Sequence, residues 1–407
     1  MSESESEASE ERYRYLTTAR AVRERAHEIL EQARAGQLEH WLLDETKLPQ
    51  VVDRVIAVTR RAYPDLDAIP YHSRFRHFDV GGVGRLASLQ RELSHLDSDQ
   101  RLAALVELVI TSVLLDAGAG AAWRYREDDG RNYTRSEGLA VASYHLFSSG
   151  ALSSTSERLR ADATGLMAFS SERLELAFQV GPDNPLAGAA GRAELLQNLG
   201  RVVASTPEFF GSADARLGNL ALYLKRAAQN GRLAASFVLT SVLRALGPIW
   251  PGRETCAGKN LGDVFRHSRF GLVPLHKLSQ WLSYSLIEAL EMSSLRIDGL
   301  NELTGLAEYR NGGLFVDAGV LVLKHPEART EVHRVDSDLI IEWRSLTVAL
   351  LDRVAEIMRE RLQLSATQLP LARVLEGGTW QAGREIAREL RSDARPPLEI
   401  ESDGTVF

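Results

Sequence analysis

The chain has 407 residues, of which 44% are hydrophobic, and a formal net charge of −7 at pH 7. The length and apolar content suffice for a large core, whereas the acidic balance argues against binding a nucleic-acid backbone through a broad basic face. The single cysteine, Cys256, excludes internal disulfides and a metal cage made of cysteines, which fits a reducing cytoplasm.

The chain begins with an acidic segment, Ser2 to Glu11, in which serine and glutamate alternate. Because this segment has almost nothing to bury and lacks the basic and apolar regions of a signal peptide, we predict a disordered tail over residues 1–12. No stretch reaches the roughly eighteen apolar residues of a membrane span. We therefore expect a cytoplasmic protein without membrane contact, whose residues 13–407 form a single helical catalytic domain. A domain boundary near residue 150 or 210 is the alternative.

Helical periodicity dominates the remainder, since apolar residues recur at three- and four-residue steps. The predicted helices, in chain order, are Tyr13–Ala35, Leu48–Arg61, a helix over Leu102–Leu114 capped by Ser98 or Asp99, Arg192–Ala204, Leu217–Asn230, Leu233–Leu246, His276–Met292, Asp338–Leu362 capped by Ser337, and Trp380–Arg391. A hairpin is predicted at 123–126 and 131–134, and a short strand at Val320–Leu323. The fold class is therefore mainly α, with one small β-hairpin.

The first polar cluster, at residues 71–82, alternates aromatic and basic residues and ends in two glycines. Arg74 and His77 are candidates for binding an anion, because the glycines let backbone amides approach it. The alternative is a loop pinned by Phe75 and Phe78, with its charges in water. The spacing of histidines and carboxylates is not typical of a metal site, so we expect none.

The second cluster lies at the predicted start of a helix that follows the hairpin. Thr134 and Glu137 have the spacing of a capping box, which alone would explain Glu137. A helix N-terminus also favours negative ligand groups, so Arg135 and Glu137 are candidates for substrate binding.

The third cluster is on the helix that begins near Lys277. Lys277, Trp281 and Tyr284 recur at three- and four-residue steps and would line one wall of a cavity, although the two aromatic residues could be ordinary core residues. Glu342 and Arg344 are charged residues inside the long predicted helix and are further candidates for substrate binding.

The fourth cluster is Glu308-Tyr309-Arg310, which lies between glycines and apolar sequence. Burying Glu308 and Arg310 would sacrifice hydration that only pairing, hydrogen bonds or a ligand can offset, which makes this triplet the candidate catalytic site. The alternative is a surface turn with solvated charges.

The sequence has no phosphate-binding loop of the Walker type, no dinucleotide fingerprint after a strand and no nucleophile elbow. The common nucleotide-binding and hydrolase classes are therefore not indicated, and we expect no cofactor.

Several segments together resemble the uracil catabolism protein 4 family, over roughly residue 15 to the end. They are His72-Ser73-Arg74, His77-Phe78, Gly81-Gly82, 114–120, 133–138, 247–253, 276–281 and 402–407. This resemblance implies a place in a non-reductive route that breaks down uracil after attaching it to ribose phosphate and opening the ring. Other enzymes of that route are candidate partners.

Three segments are also similar to the queuosine-salvage nucleotide glycosidases, helical proteins similar to DNA glycosylases. The likeness rests on Lys277, on Glu308-Tyr309-Arg310 and on Glu342 with Arg344, where Glu308 stands in place of that family's aspartate. It implies a fold like that of DNA glycosylases.

The two resemblances together imply a hydrolase that cleaves the N-glycosidic bond of a phosphorylated ribosylurea, releasing urea and a ribose phosphate. In this hypothesis Glu308 stabilises the positive charge that develops on the sugar and orients or deprotonates water. Lys277, with Arg74 or His77, would hold the phosphate.

The remaining candidates would position the substrate. Tyr309, Arg310 and Glu137 would orient ribose hydroxyls or the ureido group, and Trp281 and Tyr284 would exclude water. A metal-dependent amidohydrolase that attacks the ureido carbonyl and a noncatalytic pathway scaffold are the alternatives.

Overall fold

The computed structural model describes residues 3–120, 122–250 and 253–401, and helices dominate it. The helices are α1 Glu3–Leu16, α2 Ala19–Arg34, α3 Leu48–Ala62, α4 Phe75–Phe78, α5 Arg85–Glu92, α6 Ser98–Leu114, α7 Arg135–Ser148, α8 Ala163–Met167, α9 Ser171–Ala177, α10 Ala189–Ser205, α11 Pro207–Phe210, α12 Asn219–Ala227, α13 Ala235–Leu246, α14 Lys277–Met292, α15 Tyr309–Asp317, α16 Asp338–Leu362, α17 Leu371–Val374 and α18 Trp380–Leu390. No helix among these residues is long and apolar enough to cross a membrane.

The strands are short and pair two by two. They are β1 Trp41–Leu43, β2 Tyr125–Arg126, β3 Asn132–Tyr133, β4 Arg232–Ala234, β5 Thr255–Cys256, β6 Lys259–Asn260, β7 Val264–His267, β8 Gly271–Pro274, β9 Arg296–Asp298, β10 Leu321–Leu323, β11 Val332–Arg334 and β12 Glu399–Glu401. The pairs β1–β10, β2–β3, β5–β6 and β7–β8 are antiparallel, whereas β4–β9 and β11–β12 are parallel. The mainly α class and the predicted hairpin, β2–β3, are confirmed.

The predicted helix bounds hold in part. Helix α16 has its predicted bounds, although the Ser337 side chain makes no capping bond and donates to the Arg334 carbonyl at 2.9 Å. Helix α6 is capped by Asp97, one residue before the predicted caps, through bonds from the amides of Asp99 and Gln100. The predicted helix Tyr13–Ala35 is interrupted, because the Thr18 side chain accepts a bond from the Ala21 amide at 3.1 Å and starts α2.

The acidic start differs from the predicted disordered tail, since α1 begins at Glu3, with residues 1 and 2 outside the described range. Contacts with the β5–β6 turn hold this helix: the Ala257 amide donates to Ser9 Oγ at 3.0 Å, and Lys259 Nζ lies 2.9 Å from a Glu10 oxygen. Tyr13 and Leu16 pack in a small apolar cluster with Leu261, Val264 and Leu272. Composition alone could not indicate these partners, which are distant in sequence.

The core forms around helices α6 and α16, each of which has a long stretch that is buried on every side. All residues of 102–114 in α6 and of 339–351 in α16 are buried. Helix α16 packs against α2, α3 and α15, and α6 packs against α7, α12 and α14. Polar residues on these helices must therefore be neutralised inside the protein.

Glu107, in the middle of α6, shows how this is done. Its side chain is 0% exposed, and its oxygens accept bonds from Arg216 Nε at 2.6 Å and Nη2 at 2.8 Å. The backbone amides of Gly218 and Ala161 donate to the same carboxylate at 2.9 and 3.0 Å. The carboxylate thus ties two loops to the central helix.

We predict that Arg216→Leu lowers the free energy of unfolding by about 3–5 kcal/mol, because it leaves the buried Glu107 charge without its cation. Urea denaturation followed by circular dichroism measures the change. The matched control is Arg20→Leu, which removes an ion pair whose side chains are 78% and 46% exposed and should therefore change the free energy of unfolding far less. Equal losses in the two variants would contradict the role given to Glu107.

Candidate functional site

Glu308 caps the N-terminus of α15 from inside the protein. Its Oε1 accepts a bond from the Asn311 amide at 2.6 Å and its Oε2 from the Arg310 amide at 2.7 Å, and the residue is only 7% exposed. Burial raises the pKa of Glu308, although the two amides and the charges of Lys277 and Arg310 pull it down. The segment is therefore not a solvated surface turn, and its carboxylate is held at a fixed position.

Lys277 is the first residue of α14 and follows His276, whose backbone is left-handed with φ of 48°. The Lys277 ammonium lies 5.9 Å from the centre of the Trp281 ring and, within the described residues, makes no hydrogen bond or ion pair. Burial lowers the pKa of Lys277, and the negative charges of Glu308 and Asp116 counteract this. Lys277 and Glu308 are thus close enough to act on each other electrostatically, although they belong to different helices.

Arg74 is fully buried, at 0% exposure, but its charge is not free. Its Nη1 donates to Asp116 Oδ1 at 2.7 Å, and its Nε donates to Ser112 Oγ at 2.7 Å. The Ser136 hydroxyl lies 2.8 Å from both oxygens of Asp116. Arg74 is therefore neutralised by Asp116, a carboxylate that the sequence analysis did not select.

His77 lies between two tryptophan rings, with centroids 5.8 Å from Trp281 and 6.0 Å from Trp380. Its Nδ1 is 3.2 Å from Arg74 Nη1, which can only donate. Burial, and after it the positive charge of Arg74, holds the pKa of His77 well below its usual value. His77 is therefore an uncharged aromatic residue at neutral pH, and it forms one wall of rings together with Trp281 and Trp380.

The outer side of this wall lines a cleft with a volume of about 410 Å³. His72 Nδ1 bonds to Glu376 at 2.8 Å in this cleft, and the Tyr63 hydroxyl donates to the same carboxylate at 3.1 Å. Trp380 lines it as well. The cleft therefore reaches His77, whose Nδ1 lies beside the buried Arg74.

The predicted capping box at the start of α7 is wrong. Thr134 occupies the N-cap position but makes no capping bond through its side chain, and Glu137 instead accepts a bond from Arg384 at 2.6 Å. Long-range pairing with α18 replaces the local cap. Arg135, the first residue of α7, is exposed and donates to the Asp393 carbonyl at 3.3 Å.

Two of the candidate residues make their contacts elsewhere. Tyr284 is fully buried and donates to the Thr304 carbonyl at 2.9 Å, as a core tyrosine does. Glu342 lies 3.5 Å from His267 Nε2 and accepts a bond from the His40 amide at 3.4 Å. These side chains support neighbouring segments rather than the surroundings of Lys277.

Arg344 holds the segments that carry Glu308 and Lys277 in place. Its Nη1 and Nη2 donate to the two oxygens of Asp263, each at 2.8 Å, and its Nε donates to the Ala307 carbonyl at 3.2 Å. Asp263 also accepts a bond from the Lys277 amide at 2.9 Å. One ion pair therefore fixes both the residue before Glu308 and the start of α14.

Several buried polar atoms near these residues have no hydrogen-bond partner among the residues that the structure describes. They are Arg74 Nη2, Gln280 Nε2, Trp281 Nε1 and both side-chain polar atoms of Asn311. Unpaired buried donors are costly, so such atoms are typical of sites that a ligand completes. No group of three or more His, Cys, Asp and Glu side chains that could hold a metal occurs within the described ranges.

Four residues of this region, Asp116, Asp263, Asn311 and Trp380, are not among the site residues predicted from the sequence. Asp116 follows an apolar helix and precedes a glycine-rich segment, a pattern that could have indicated it. Asn311 lies in the same segment as Glu308, to which its amide donates. Nothing in the spacing of Asp263 connects it to Lys277, whose amide donates to it.

The chain is similar to known proteins over nearly its whole length. The family described as "Protein of unknown function (DUF1688)" matches residues 15–407. "Protein urg3" of Schizosaccharomyces pombe is 41% identical over 404 residues, covering 96% of this chain and 98% of the relative. "Uracil catabolism protein 4" of Lachancea kluyveri is 36% identical over 435 residues, covering 97% and 98%. The resemblance to the uracil catabolism protein 4 family is confirmed, although its segment 402–407 and residues 251–252 lie outside the described residues.

We predict that Gly383→Ala destabilises the site, because its Cβ would overlap the Arg310 carbonyl where α18 packs on α15. The free energy of unfolding should fall by about 1–3 kcal/mol, measured by urea denaturation. Gly191→Ala is the control: Gly191 is also within a helix but has no heavy atom within 4 Å of an added Cβ, so alanine should be neutral or stabilising. A Gly383→Ala variant with the same free energy of unfolding as the wild type would contradict the tight packing described for Arg310.

Proposed function

The chain belongs to the DUF1688 family, and from that premise we propose that it acts in uracil breakdown as a hydrolase of an N-glycosidic bond. The substrate is a ribosylurea-type phosphate. A water molecule supplies the hydroxyl group that bonds to C1 of the ribose, and the C1–N bond breaks with its electron pair on nitrogen. That nitrogen takes up a proton, so that the products are urea and a ribose phosphate.

The observation that carries the proposal is the buried carboxylate of Glu308. Departure of the nitrogen leaves positive charge on the sugar ring, and a carboxylate that is already oriented stabilises this charge without reorganisation. Two backbone amides hold Glu308 in such a fixed orientation at the start of α15.

Asp116 supplies a second carboxylate, as hydrolysis of a glycosidic bond commonly requires. Its Oδ1 is engaged by Arg74 and Ser136, whereas among the described residues its Oδ2 is contacted by Ser136 only. We propose that Asp116 Oδ2 accepts the proton that the attacking water loses. The positive charge of Lys277 lies near both Glu308 and Asp116 and favours their ionised forms.

With Asp116 as a catalytic carboxylate, Arg74 and His77 no longer serve as ligands of the phosphate. Arg74 is neutralised by Asp116 and His77 is uncharged, so neither is a strong phosphate ligand. Lys277 interacts with the reacting part of the substrate and with the carboxylates around it.

The activity is tested with purified protein and ribosylurea 5-phosphate, with and without a chelator, by measuring free urea and reducing sugar. Release that resists the chelator supports the glycosidase. Ammonia and carbon dioxide formed in place of urea, in a reaction that the chelator abolishes, indicate a metal-dependent amidohydrolase instead, and absence of turnover indicates a noncatalytic protein.

We predict that Glu308→Gln lowers kcat by roughly a hundredfold or more, because it removes the negative charge that faces the developing cation. Urea release at saturating substrate measures the loss. Asp97→Asn is the matched control, since Asp97 also caps a helix but lies at the surface at the start of α6. Turnover in Glu308→Gln close to that of the control would refute the role of Glu308.

We predict a second effect, on the pH dependence of kcat/KM. Glu308 acts in its ionised form, so activity falls as the pH drops through its pKa, and the charge of Lys277 lowers that pKa. Lys277→Met removes this charge and should therefore move the acidic limb of the profile to higher pH. The surface variant Lys225→Met should leave the limb in place. A limb that stays at the same pH in Lys277→Met, or moves to lower pH, would contradict the electrostatic coupling.

A further inference from the structure

Two guanidinium groups lie side by side on the loop that follows α18. Arg310 Nη1 donates to the Ala394 carbonyl at 2.9 Å, and Arg135 Nη2 donates to the carbonyl of the preceding residue, Asp393, at 3.3 Å. Because consecutive carbonyls accept these bonds, the two cations are neighbours although they come from α15 and α7.

Within the described residues, neither Arg135 nor Arg310 forms an ion pair with a carboxylate, although the charge of Glu308 acts on Arg310 without such a contact. Glu137, on the same helix as Arg135, is already engaged by Arg384. Two like charges held together in this way repel each other unless an anion lies between them.

The charge of Arg310 also acts on the pKa of Arg135. Burial lowers this pKa and the positive charge of Arg310 lowers it further, whereas Tyr309 raises it and Arg384 and Arg388 lower it to a smaller extent. The site therefore has an excess of positive charge, which a multiply charged anion would compensate.

The two guanidinium groups are also held in place before any ligand arrives. Arg310 is 5% exposed and stacks on the Tyr309 ring, with its central carbon 4.8 Å from the ring centre. Gly383 lets α18 approach the Arg310 backbone closely, and Arg135 and Ala394 adopt left-handed backbone angles with φ of 55° and 53°. Such backbone conformations in residues other than glycine occur often at ligand sites.

We propose that Arg135 and Arg310 form the binding site for a phosphomonoester dianion, the phosphate of the substrate. Arginine suits this role because its planar fork can donate two parallel hydrogen bonds to one phosphate. Arg310 and Glu308 lie on the same turn at the start of α15, so a phosphate on Arg310 directs the attached ribose towards the Glu308 carboxylate. The phosphate thus lies at the exposed side of the site rather than beside Arg74 and His77.

The organic part of the ligand rests on the proposed function, but the phosphate site does not. The test measures binding of inorganic phosphate, ribose 5-phosphate and ribose to the full chain by isothermal titration calorimetry. We expect the wild type to bind both phosphates and not ribose, and Arg135→Gln to weaken both affinities at least tenfold. Arg310→Gln should do the same.

The matched control is Arg395→Gln, which removes the same charge from the same loop at a side chain that is 70% exposed. Its affinities should stay within twofold of the wild type. Because Arg135 is exposed, Arg135→Gln should keep the thermal unfolding temperature of the wild type, so the test remains decisive even if Arg310→Gln fails to fold.

The outcomes separate this inference from the proposed function. Absence of phosphate binding at millimolar concentration, or equal losses in Arg135→Gln and Arg395→Gln, overturns the phosphate site. Binding of ribose 5-phosphate through Arg135 without any urea release refutes the proposed reaction and leaves the site intact. Urea release that is as efficient from unphosphorylated ribosylurea, and unchanged in Arg135→Gln, refutes the site and leaves the reaction intact.

Discussion

The arrangement of the site depends on one buried ion pair, between Asp263 and Arg344. Arg344 donates to both oxygens of Asp263, Asp263 accepts the Lys277 amide, and Arg344 also holds the Ala307 carbonyl. Burial opposes ionisation of Asp263, but the charge and hydrogen bonds of Arg344 hold its pKa below the usual value. A single pair thereby sets the start of α14 and the segment before α15, the elements that carry Lys277 and Glu308.

Patterns within one element could be predicted from the sequence, whereas pairings between elements could not. The apolar stripe and Ser337 gave the bounds of α16, and the turn residues gave the β2–β3 hairpin. The burial of polar residues on α14 also follows from their distribution around the helix. By contrast, the partner of Glu137 is 247 residues away, and the contacts that order α1 come from the β5–β6 turn. Local spacing favoured a cap and a disordered tail because it contains no information on such partners.

The same limit applies to the basic residues. Arg74 stands in a motif rich in aromatic and basic residues and resembles an anion ligand in the sequence, but Asp116 occupies it. Arg135 and Arg310 look less distinctive, although the structure brings them together at consecutive carbonyls and, within the described residues, neither forms an ion pair. In the arrangement that we propose, a phosphate lies at the exposed side of the site, and two carboxylates with one lysine lie on the inner side. That arrangement suits a small phosphorylated sugar whose reactive bond points inward.

The most direct test of the account uses ribosylurea 5-phosphate labelled with carbon-13 in the ureido group. Cleavage of the C1–N bond keeps the labelled carbon in urea, whereas attack on the ureido carbonyl converts it to bicarbonate. Carbon-13 NMR of the reaction distinguishes these products in one spectrum. The account predicts that all of the label released appears as urea, and label in bicarbonate, or label that stays in the substrate, would contradict it.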